Sequence, residues 1–214
     1  MTETAEKAPP KRYVATIRLV VSVVLLTFAI KITTAEAYRI EQSSMEQTLM
    51  PGDVVIGMKF IYGGKLPLIN VRLPGFRRPR PGDIVVVHSP IESGVKIVKR
   101  VIAIEGQTVE IRDKQLYLDG ELVIRPETAR PPGSDILPRS QSGRDNYGPV
   151  EIPEGQLFLM GDNWDASFDS RNWGFLDGDL VLAKAFSVLY TWQREPTRPF
   201  WTSLKFGRTG RILH

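Results

Sequence analysis

Residues 96–104 read Lys-Ile-Val-Lys-Arg-Val-Ile-Ala-Ile, and this stretch decides which kind of fold the chain adopts. Its β-branched residues and its lack of Gly and Pro predict a strand. Side chains alternate between the two faces of a strand, so Lys99 shares a face with Ile97, Val101 and Ala103. Lysine is almost never buried without a partner. Either Lys99 lies in the core, where burial would lower its pKa, or the strand is a sheet edge and Lys99 points into solvent.

Short apolar runs of the same kind occur on both sides of this stretch. They cover residues 54–56, 84–87, 108–112, 115–118, 157–160 and 180–189. Pro-Gly-Asp at 51–53 and 81–83 and Asp-Gly-Asp at 177–179 are turn sequences, and Asp119-Gly120 predicts a hairpin. The sequence therefore predicts a mostly β fold. We expect an antiparallel β-sheet domain with an inserted β-hairpin and loop around residues 110–150, in which 125–149 form a surface excursion.

Two adjacent serines, Ser43 and Ser44, precede the first β run, in the sequence Glu-Gln-Ser-Ser-Met-Glu-Gln-Thr-Leu at 41–49. A serine hydroxyl is barely acidic in water and needs a base before it can act as a nucleophile. A neutral Lys99 could take that proton, which is the requirement for Ser–Lys catalysis. Serine pairs before turns are common, and the chemistry alone does not choose between these two serines.

A dense polar loop follows the run at 157–160 and reads Met-Gly-Asp-Asn-Trp-Asp-Ala-Ser-Phe-Asp-Ser-Arg at 160–171. Asp169 and Arg171 could form an ion pair, and Ser167 could orient a lysine amine. An Asx-rich turn is the simpler interpretation. A calcium site built from the carboxylates and Asn163 is disfavoured, because the loop lacks EF-hand spacing and its final Glu.

The composition excludes several classes of site. The 214 residues contain no cysteine, which removes a Cys nucleophile, a Cys-based metal site and any disulfide. Only His88, at a predicted strand end, and the terminal His214 could serve a Ser-His-Asp triad or a two-histidine zinc site, so both are poorly supported. The net charge of +4 is typical of a protein at a membrane surface and is weak support for nucleic acid binding. We expect no nucleic acid partner.

An apolar segment near the N-terminus predicts a membrane anchor. Residues 19–30 carry no charge, and flanking residues extend the segment to 13–37, with Arg18 and Lys31 near its ends. A buried core helix and a cleavable signal peptide are the alternatives. Lys7, Lys11 and Arg12 place the tail at 1–12 in the cytoplasm by the positive-inside rule, so the domain at 38–214 would lie outside.

The order of these motifs resembles the bacterial type I signal peptidases. The resemblance consists of the anchor, Ser-Ser-Met-Glu-x-Thr-Leu, Pro-Gly-Asp-Ile-Val, Ile-Val-Lys-Arg-Val and Gly-Asp-Asn-x-Asp-x-Ser-x-Asp-Ser-Arg, and it extends to about Leu189. It implies a membrane-bound serine endopeptidase that removes signal peptides after an Ala-x-Ala site by Ser–Lys acyl-enzyme catalysis, without metal or cofactor. Its partners would be preproteins and the lipid bilayer. The chain would be a single-pass monomer of the bacterial cytoplasmic membrane.

The same resemblance implies a role for each site residue. Ser44 would be the nucleophile and Lys99 the general base, with the Ser44 backbone N–H in the oxyanion hole. Ser167 would hold the Lys99 amine. The remaining residues would support the loop (Asp162, Asp169 and Arg171) or wall the small substrate pockets (Ile40, Met45, Leu49 and Val98).

Three positions depart from the family pattern. Gln42 stands where the family often has a Ser or Thr hydroxyl that helps hold the oxyanion, and its amide could donate instead. Gln47 replaces the usual Pro, and Trp164 replaces a usual Arg. These departures leave one alternative from another class, a catalytically weak or inactive membrane-tethered module that binds exported peptides. Self-cleaving repressor-type Ser–Lys peptidases share the fold and dyad, but they usually carry a DNA-binding domain where this chain has its anchor.

Overall fold

The computed structural model describes residues 11–66, 71–124, 133, 135–193 and 203–213. Over these residues the chain is mostly β, with helices α1 (Lys11–Thr34) and α2 (Ser170–Trp173) and 3-10 turns at Ser43–Met45, Trp164–Ala166 and Gly178–Leu180. The strands are β1 (Ala35–Arg39), β2 (Asp53–Met58), β3 (Lys65–Leu66), β4 (Val71–Arg72), β5 (Ile84–His88), β6 (Lys96–Ile104), β7 (Thr108–Arg112), β8 (Gln115–Leu118), β9 (Glu121–Leu122), β10 (Tyr147–Glu151), β11 (Gln156–Met160), β12 (Leu176–Asp177), β13 (Val181–Trp192) and β14 (Leu204–Lys205).

The strands form one large sheet and two small ones, and every strand pair is antiparallel. The large sheet has the order β1-β2-β13-β5-β6-β11-β12, with β14 beside β13. A four-stranded sheet of order β10-β7-β8-β9 is inserted between β6 and β11. We call this sheet, with the described loop residues 133 and 135–146, the inserted subdomain. The short strands β3 and β4 form a separate hairpin.

The predicted antiparallel β fold with an inserted hairpin agrees with this architecture. The predicted runs coincide with β2, β5, β6, β7, β8, β11 and β13 within a few residues. Asp119 and Gly120 join β8 to β9 and both have positive φ, 52° and 84°, as a tight two-residue hairpin requires. His88 lies at the end of β5, as predicted.

Three details of the prediction are wrong. Residues 35–37 were expected to end the apolar helix, but they form β1, whose backbone pairs with β2 from Ala35↔Met58 onward. The surface excursion was expected to continue to residue 149, but Tyr147 already pairs with Ile111 in the inserted sheet. The edge-strand alternative for Lys99 fails because β6 lies between β5 and β11. Residues 1–10, 125–132, 134 and 214 of the predicted tail, excursion and terminus lie outside the described residues.

Helix α1 contains 24 residues and carries exposed apolar side chains, including Leu19, Val24 and Leu26. Among the described residues, no helix combines the length and apolarity that crossing a membrane requires.

Strand β6 is covered on both faces, because separate core clusters pack against it. Ile97 and Val101 pack in a cluster with Val85 and Leu159. Ala103, which strict alternation places with them, belongs to another cluster around Phe158. The reason is a bulge between Phe158 and Leu159, which shifts the pairing of β11 with β6 by one residue. The prediction that Lys99 shares a face with Ile97 and Val101 is therefore correct, and the prediction that Ala103 shares that face is wrong.

Candidate active site

Ser44 lies in the 3-10 turn Ser43–Met45, which interrupts the connection from β1 to β2. The turn is fixed at its base by the bonds from the Leu49 amide to the Met45 carbonyl (2.7 Å) and from the Gly52 amide to the Ile40 carbonyl (2.7 Å). Met45 and Leu49 are buried and belong to one apolar cluster with Ile40. Their burial holds Ser44 against the sheet, and the serine is itself only 7% exposed.

Lys99 is among the most deeply buried large side chains of the described chain, with 1% of its surface exposed. Its Nζ donates a hydrogen bond to the Ser167 hydroxyl at 3.0 Å, and no carboxylate of the described residues pairs with it. Burial disfavours the ammonium form and lowers the pKa of Lys99 from 10.5 to about 8. The Asp169 carboxylate opposes this shift, the Arg171 cation adds to it, and Asp162 opposes it more weakly.

The polar loop at 160–171 is held in shape by its own charged residues. Asp169 caps α2 and completes a capping box with Asn172. Its carboxylate accepts two hydrogen bonds from the Arg171 guanidinium, at 2.9 and 2.8 Å. The Gly161 amide lies 3.1 Å from Asp169 Oδ2 and 3.2 Å from Ser167 Oγ. The predicted brace of Asp169 and Arg171 thus fixes the backbone that carries Ser167.

Gly161 and Asn163 join this loop to the serine turn. The Asn163 amide donates to the Ser44 carbonyl at 2.9 Å, and its side chain donates to the Ser43 carbonyl at 3.2 Å. A Cβ added to Gly161 would lie 2.3 Å from both Ser44 O and Ser167 Oγ, so only glycine fits between them. Ser44, Ser167 and Lys99, which are far apart in the sequence, are therefore brought together.

A cleft of about 90 Å³ opens beside Ser44, between residues 39–45 and 95–98. Ile40, Met45 and Val98, three of the residues predicted to wall the substrate pockets, are among those that line it. Leu49 lies behind them and is completely buried. Gln42 is exposed at the cleft, and its side chain makes no capping bond to the turn. A larger cavity of about 450 Å³ lies at the other end of β6 near Glu105, and none of these residues lines it.

A buried ion pair beneath the site is not predicted by the sequence. Arg100, which follows Lys99, binds Asp162 through two bonds of 2.7 Å each, and both side chains are almost completely buried. The Thr48 hydroxyl donates to the same carboxylate at 2.6 Å. Asp162 was predicted to support the loop, but its partner was not predicted. The only signal in the sequence was alternation on β6, since a strand covered on both faces must bury Arg100 as well as Lys99.

The structure shows the surroundings of Trp164 and the backbone conformation of Gln47, two positions that depart from the family pattern. The Trp164 ring is buried, with the Arg171 guanidinium 5.8 Å from its centre, and the Trp164 carbonyl accepts from Arg171 at 2.8 Å. At the position where the family usually has an Arg, Trp164 therefore contributes a cation–π contact with Arg171. Gln47 has a φ of 75°, which proline cannot adopt because its ring fixes φ near about −65°.

The chain is similar to known proteins over most of its length. Residues 13–191 match the family model described as signal peptidase, peptidase S26. The chain is 30% identical to the signal peptidase I of Pseudomonas aeruginosa, over 90% of this chain and 76% of that protein. It is 34% identical to the signal peptidase I T of Bacillus subtilis, over 88% of this chain and 91% of that protein. A solved signal peptidase I from Enterococcus faecalis V583 superposes with a TM-score of 0.40 at 26% identity, over 50% of this chain and 97% of that one.

Proposed function

The chain belongs to the signal peptidase family, peptidase S26, and from that premise we propose that it removes signal peptides with Ser44 as nucleophile and Lys99 as general base. It is a serine endopeptidase, like the signal peptidase I proteins that it matches. The observation that carries the assignment of the base is the burial of Lys99, which has a hydroxyl and no carboxylate as its close partner.

The reaction proceeds by acyl transfer. Neutral Lys99 accepts the Ser44 proton as Ser44 Oγ attacks the scissile carbonyl. The tetrahedral intermediate collapses, and the protonated Lys99 gives its proton to the departing amine of the mature protein. Water then attacks the acyl-enzyme, with Lys99 again as base, and releases the signal peptide. With a pKa of about 8, roughly a tenth of Lys99 is neutral at pH 7 without any change in structure.

Two neighbours prepare this chemistry. Ser167 accepts a hydrogen bond from Lys99, which orients the neutral amine and leaves its lone pair to accept the Ser44 proton. The Ser44 backbone N–H and the Gln42 side-chain amide supply the oxyanion donors, Gln42 from its exposed position at the cleft. The role of Asp162, Asp169 and Arg171 is to hold the loop on which Ser167 lies.

The size of the cleft supports a preference for small residues at the cleavage site. Its walls include the apolar side chains of Ile40, Met45 and Val98, and its volume of about 90 Å³ suits methyl-sized groups. An Ala-x-Ala site places two such side chains on the same face of an extended peptide. The substrates are therefore exported preproteins that carry this site.

We also propose that α1 holds the enzyme at the cytoplasmic membrane, with the β domain on the extracytoplasmic side. The exposed apolar residues of α1, including Leu19 and Val24, support this attachment, as do Lys7, Lys11 and Arg12 before and at its start. The Lys59 amide donates to the Thr34 carbonyl at the end of α1 (2.9 Å), so the helix is tied directly to the domain. This arrangement concentrates the site where signal peptides are held.

Cleavage of a preprotein with an Ala-x-Ala site tests the proposal. Full-length protein and its Ser44→Ala variant are incubated in detergent with the preprotein, and the N-terminus of the product is sequenced. We expect cleavage after the final Ala by the wild type alone. Cleavage by Ser44→Ala would overturn the assignment of the nucleophile, and no cleavage by either protein would favour the inactive peptide-binding module.

A further inference from the structure

A second lysine, Lys114, is buried outside the active site and is not used by the mechanism. It lies in the turn between β7 and β8, 7% exposed, with a positive φ of 63°. A buried lysine with a positive φ lowers the free energy of unfolding unless its ammonium is paired with a carboxylate. Its Nζ lies 3.0 Å from Asp165 Oδ1 and donates to the Gly133 carbonyl at 3.0 Å. The Asp145 carboxylate is 3.8 Å away.

Asp165 is the point at which the inserted subdomain meets the loop that carries Ser167. It lies in the 3-10 turn Trp164–Ala166, two residues before Ser167. Its Oδ2 accepts from the Gly133 amide at 2.6 Å. Its Oδ1 is buried and makes no hydrogen bond of good geometry among the described residues, and its charge is compensated by the Lys114 ammonium at 3.0 Å and, from 3.8 Å, by the Arg144 guanidinium.

A second connection runs parallel to this one. The Arg144 carbonyl accepts from Arg171 Nη1 at 2.9 Å, and the Arg144 guanidinium binds Asp145 through two bonds of 2.7 Å. The Lys114 amide in turn donates to the Asp145 carbonyl at 2.9 Å. Both ends of the loop around Ser167 are therefore attached to the inserted subdomain, one through Asp165 and one through Arg171.

We propose that Lys114 is a positioning residue for the reaction, because its ion pair with Asp165 lets the inserted subdomain hold Ser167 against the Lys99 amine. This inference rests on the proposed roles of Ser44 and Lys99. The 3-10 turn at 164–166 connects Asn163, which binds the Ser43 and Ser44 carbonyls, to Ser167, which binds Lys99. Movement of this turn displaces both catalytic partners at once.

The expected consequence is kinetic. Lys114→Met leaves the cleft walls and the substrate contacts in place but releases the turn, so KM changes less than about threefold. Misplacement of a catalytic group by about 1 Å can cost about 100-fold in rate, and we expect kcat to fall by about 10- to 100-fold. Looser packing admits water to Lys99, whose charged neighbours are Asp169, Arg171 and Asp162. The pH at which kcat/KM is half-maximal therefore moves upward.

The test compares matched variants of the full-length protein on one preprotein. Arg112→Met is the control, because it breaks an exposed ion pair with Glu110 in the same subdomain. We expect it to behave as wild type, and Lys114→Arg to restore most of the activity lost in Lys114→Met. In Lys114→Met/Asp165→Asn the loss should be smaller than the two single losses combined, since both substitutions remove the same ion pair. Asp165→Asn is the alternative probe if Lys114→Met does not fold.

Two results would overturn the proposal. One is a folded Lys114→Met or Asp165→Asn variant with kcat within twofold of wild type. The other is a loss of kcat with an unchanged pH profile, which would indicate only fewer folded molecules. Wild type and Ser44→Ala are assayed in parallel. If wild type cleaves, Ser44→Ala does not and Lys114→Met matches wild type, the proposed function stands and only the positioning role is lost.

Discussion

Lys99 and Arg100 are neighbours on β6 and both are buried, but the regions around them differ. Arg100 faces the Asp162 carboxylate and donates two hydrogen bonds to it. The Thr48 hydroxyl donates a further bond to the same carboxylate. The Lys99 side holds apolar residues and the Ser167 hydroxyl. A buried cation with a counterion keeps its charge and fixes structure, whereas one without a counterion readily gives up its proton. One strand therefore carries a structural cation and a reactive amine side by side.

The largest effect is expected for Lys99→Met, which removes the reactive amine and keeps its length. Cleavage should fall by at least about 10³-fold, because the serine loses its base. The free energy of unfolding at pH 7 should rise by about 1–3 kcal/mol, because an unpaired buried cation is replaced by an apolar side chain. Cleavage assays and denaturant unfolding measure the two effects.

This gain in stability should depend on pH. The folded-state pKa of Lys99 is about 8, below the ordinary 10.5. The cost of burying the ammonium is therefore fully present below pH 8, decreases between pH 8 and 10.5, and is absent above. The stability difference between Lys99→Met and wild type should narrow over that interval. Lys184→Met is the control, since Lys184 binds Asp83 at 2.8 Å and its loss should destabilise. A fall in cleavage by Lys99→Met of much less than about 10³-fold would contradict the comparison.

A loss of stability, rather than a gain, is expected when Arg100 on the other face of β6 is replaced. Arg100→Met leaves the Asp162 carboxylate buried without its cation and should cost about 3–5 kcal/mol of unfolding free energy. Activity falls as well, because Asp162 lies next to Asn163 in the loop that contacts Ser44. Denaturant unfolding of Arg100→Met beside Lys99→Met gives the contrast directly. If Arg100→Met raised the free energy of unfolding, Arg100 would destabilise the fold as Lys99 does, and the proposed difference between the two buried cations would be wrong.

Ser167→Ala extends the comparison by removing the hydroxyl that binds Lys99, its one polar side-chain partner in the described part of the chain. We expect kcat to fall by about 10- to 100-fold with little change in stability, because the amine keeps its apolar surroundings but loses its orientation. Steady-state kinetics with the preprotein separates kcat from KM. A loss confined to KM would mean that Ser167 contacts the substrate instead.

The sequence predicts features that depend on neighbouring residues better than contacts between residues that are far apart in the chain. The strands β7 and β8 have the predicted bounds, because alternation and turn residues are local signals. Strand β1 was missed because its apolar residues continue the pattern of α1. The Arg100–Asp162 pair joins residues 62 apart, and Leu213 returns to the core from the C-terminal end. No local pattern specifies such partners, although the family resemblance already indicated that Ser44, Lys99 and Ser167 would meet.

The smallest effect is expected for Thr48→Val, which removes the hydroxyl bond to Asp162 and leaves the Arg100 pair in place. The loss of one hydrogen bond to a charged acceptor should cost about 1–2 kcal/mol of unfolding free energy. Lys99 should keep its pH profile, because the Thr48 hydroxyl binds Asp162, the partner of Arg100, and not the Ser167 hydroxyl that binds Lys99. Thermal unfolding combined with a pH–rate profile checks both statements, and a shifted profile would show that the two sides of β6 are coupled.

Titration of Lys99 by NMR tests the central claim most directly. Lysine labelled with ¹³C at Cε is introduced into the Ser44→Ala variant, and the Lys99 signal is assigned by its absence in the Ser44→Ala/Lys99→Met protein. The predicted result is a pKa of about 8 for Lys99, matched by the midpoint at which kcat/KM of the wild type rises with pH. A Lys99 pKa near 10.5, with a rate profile that does not follow it, would contradict the account.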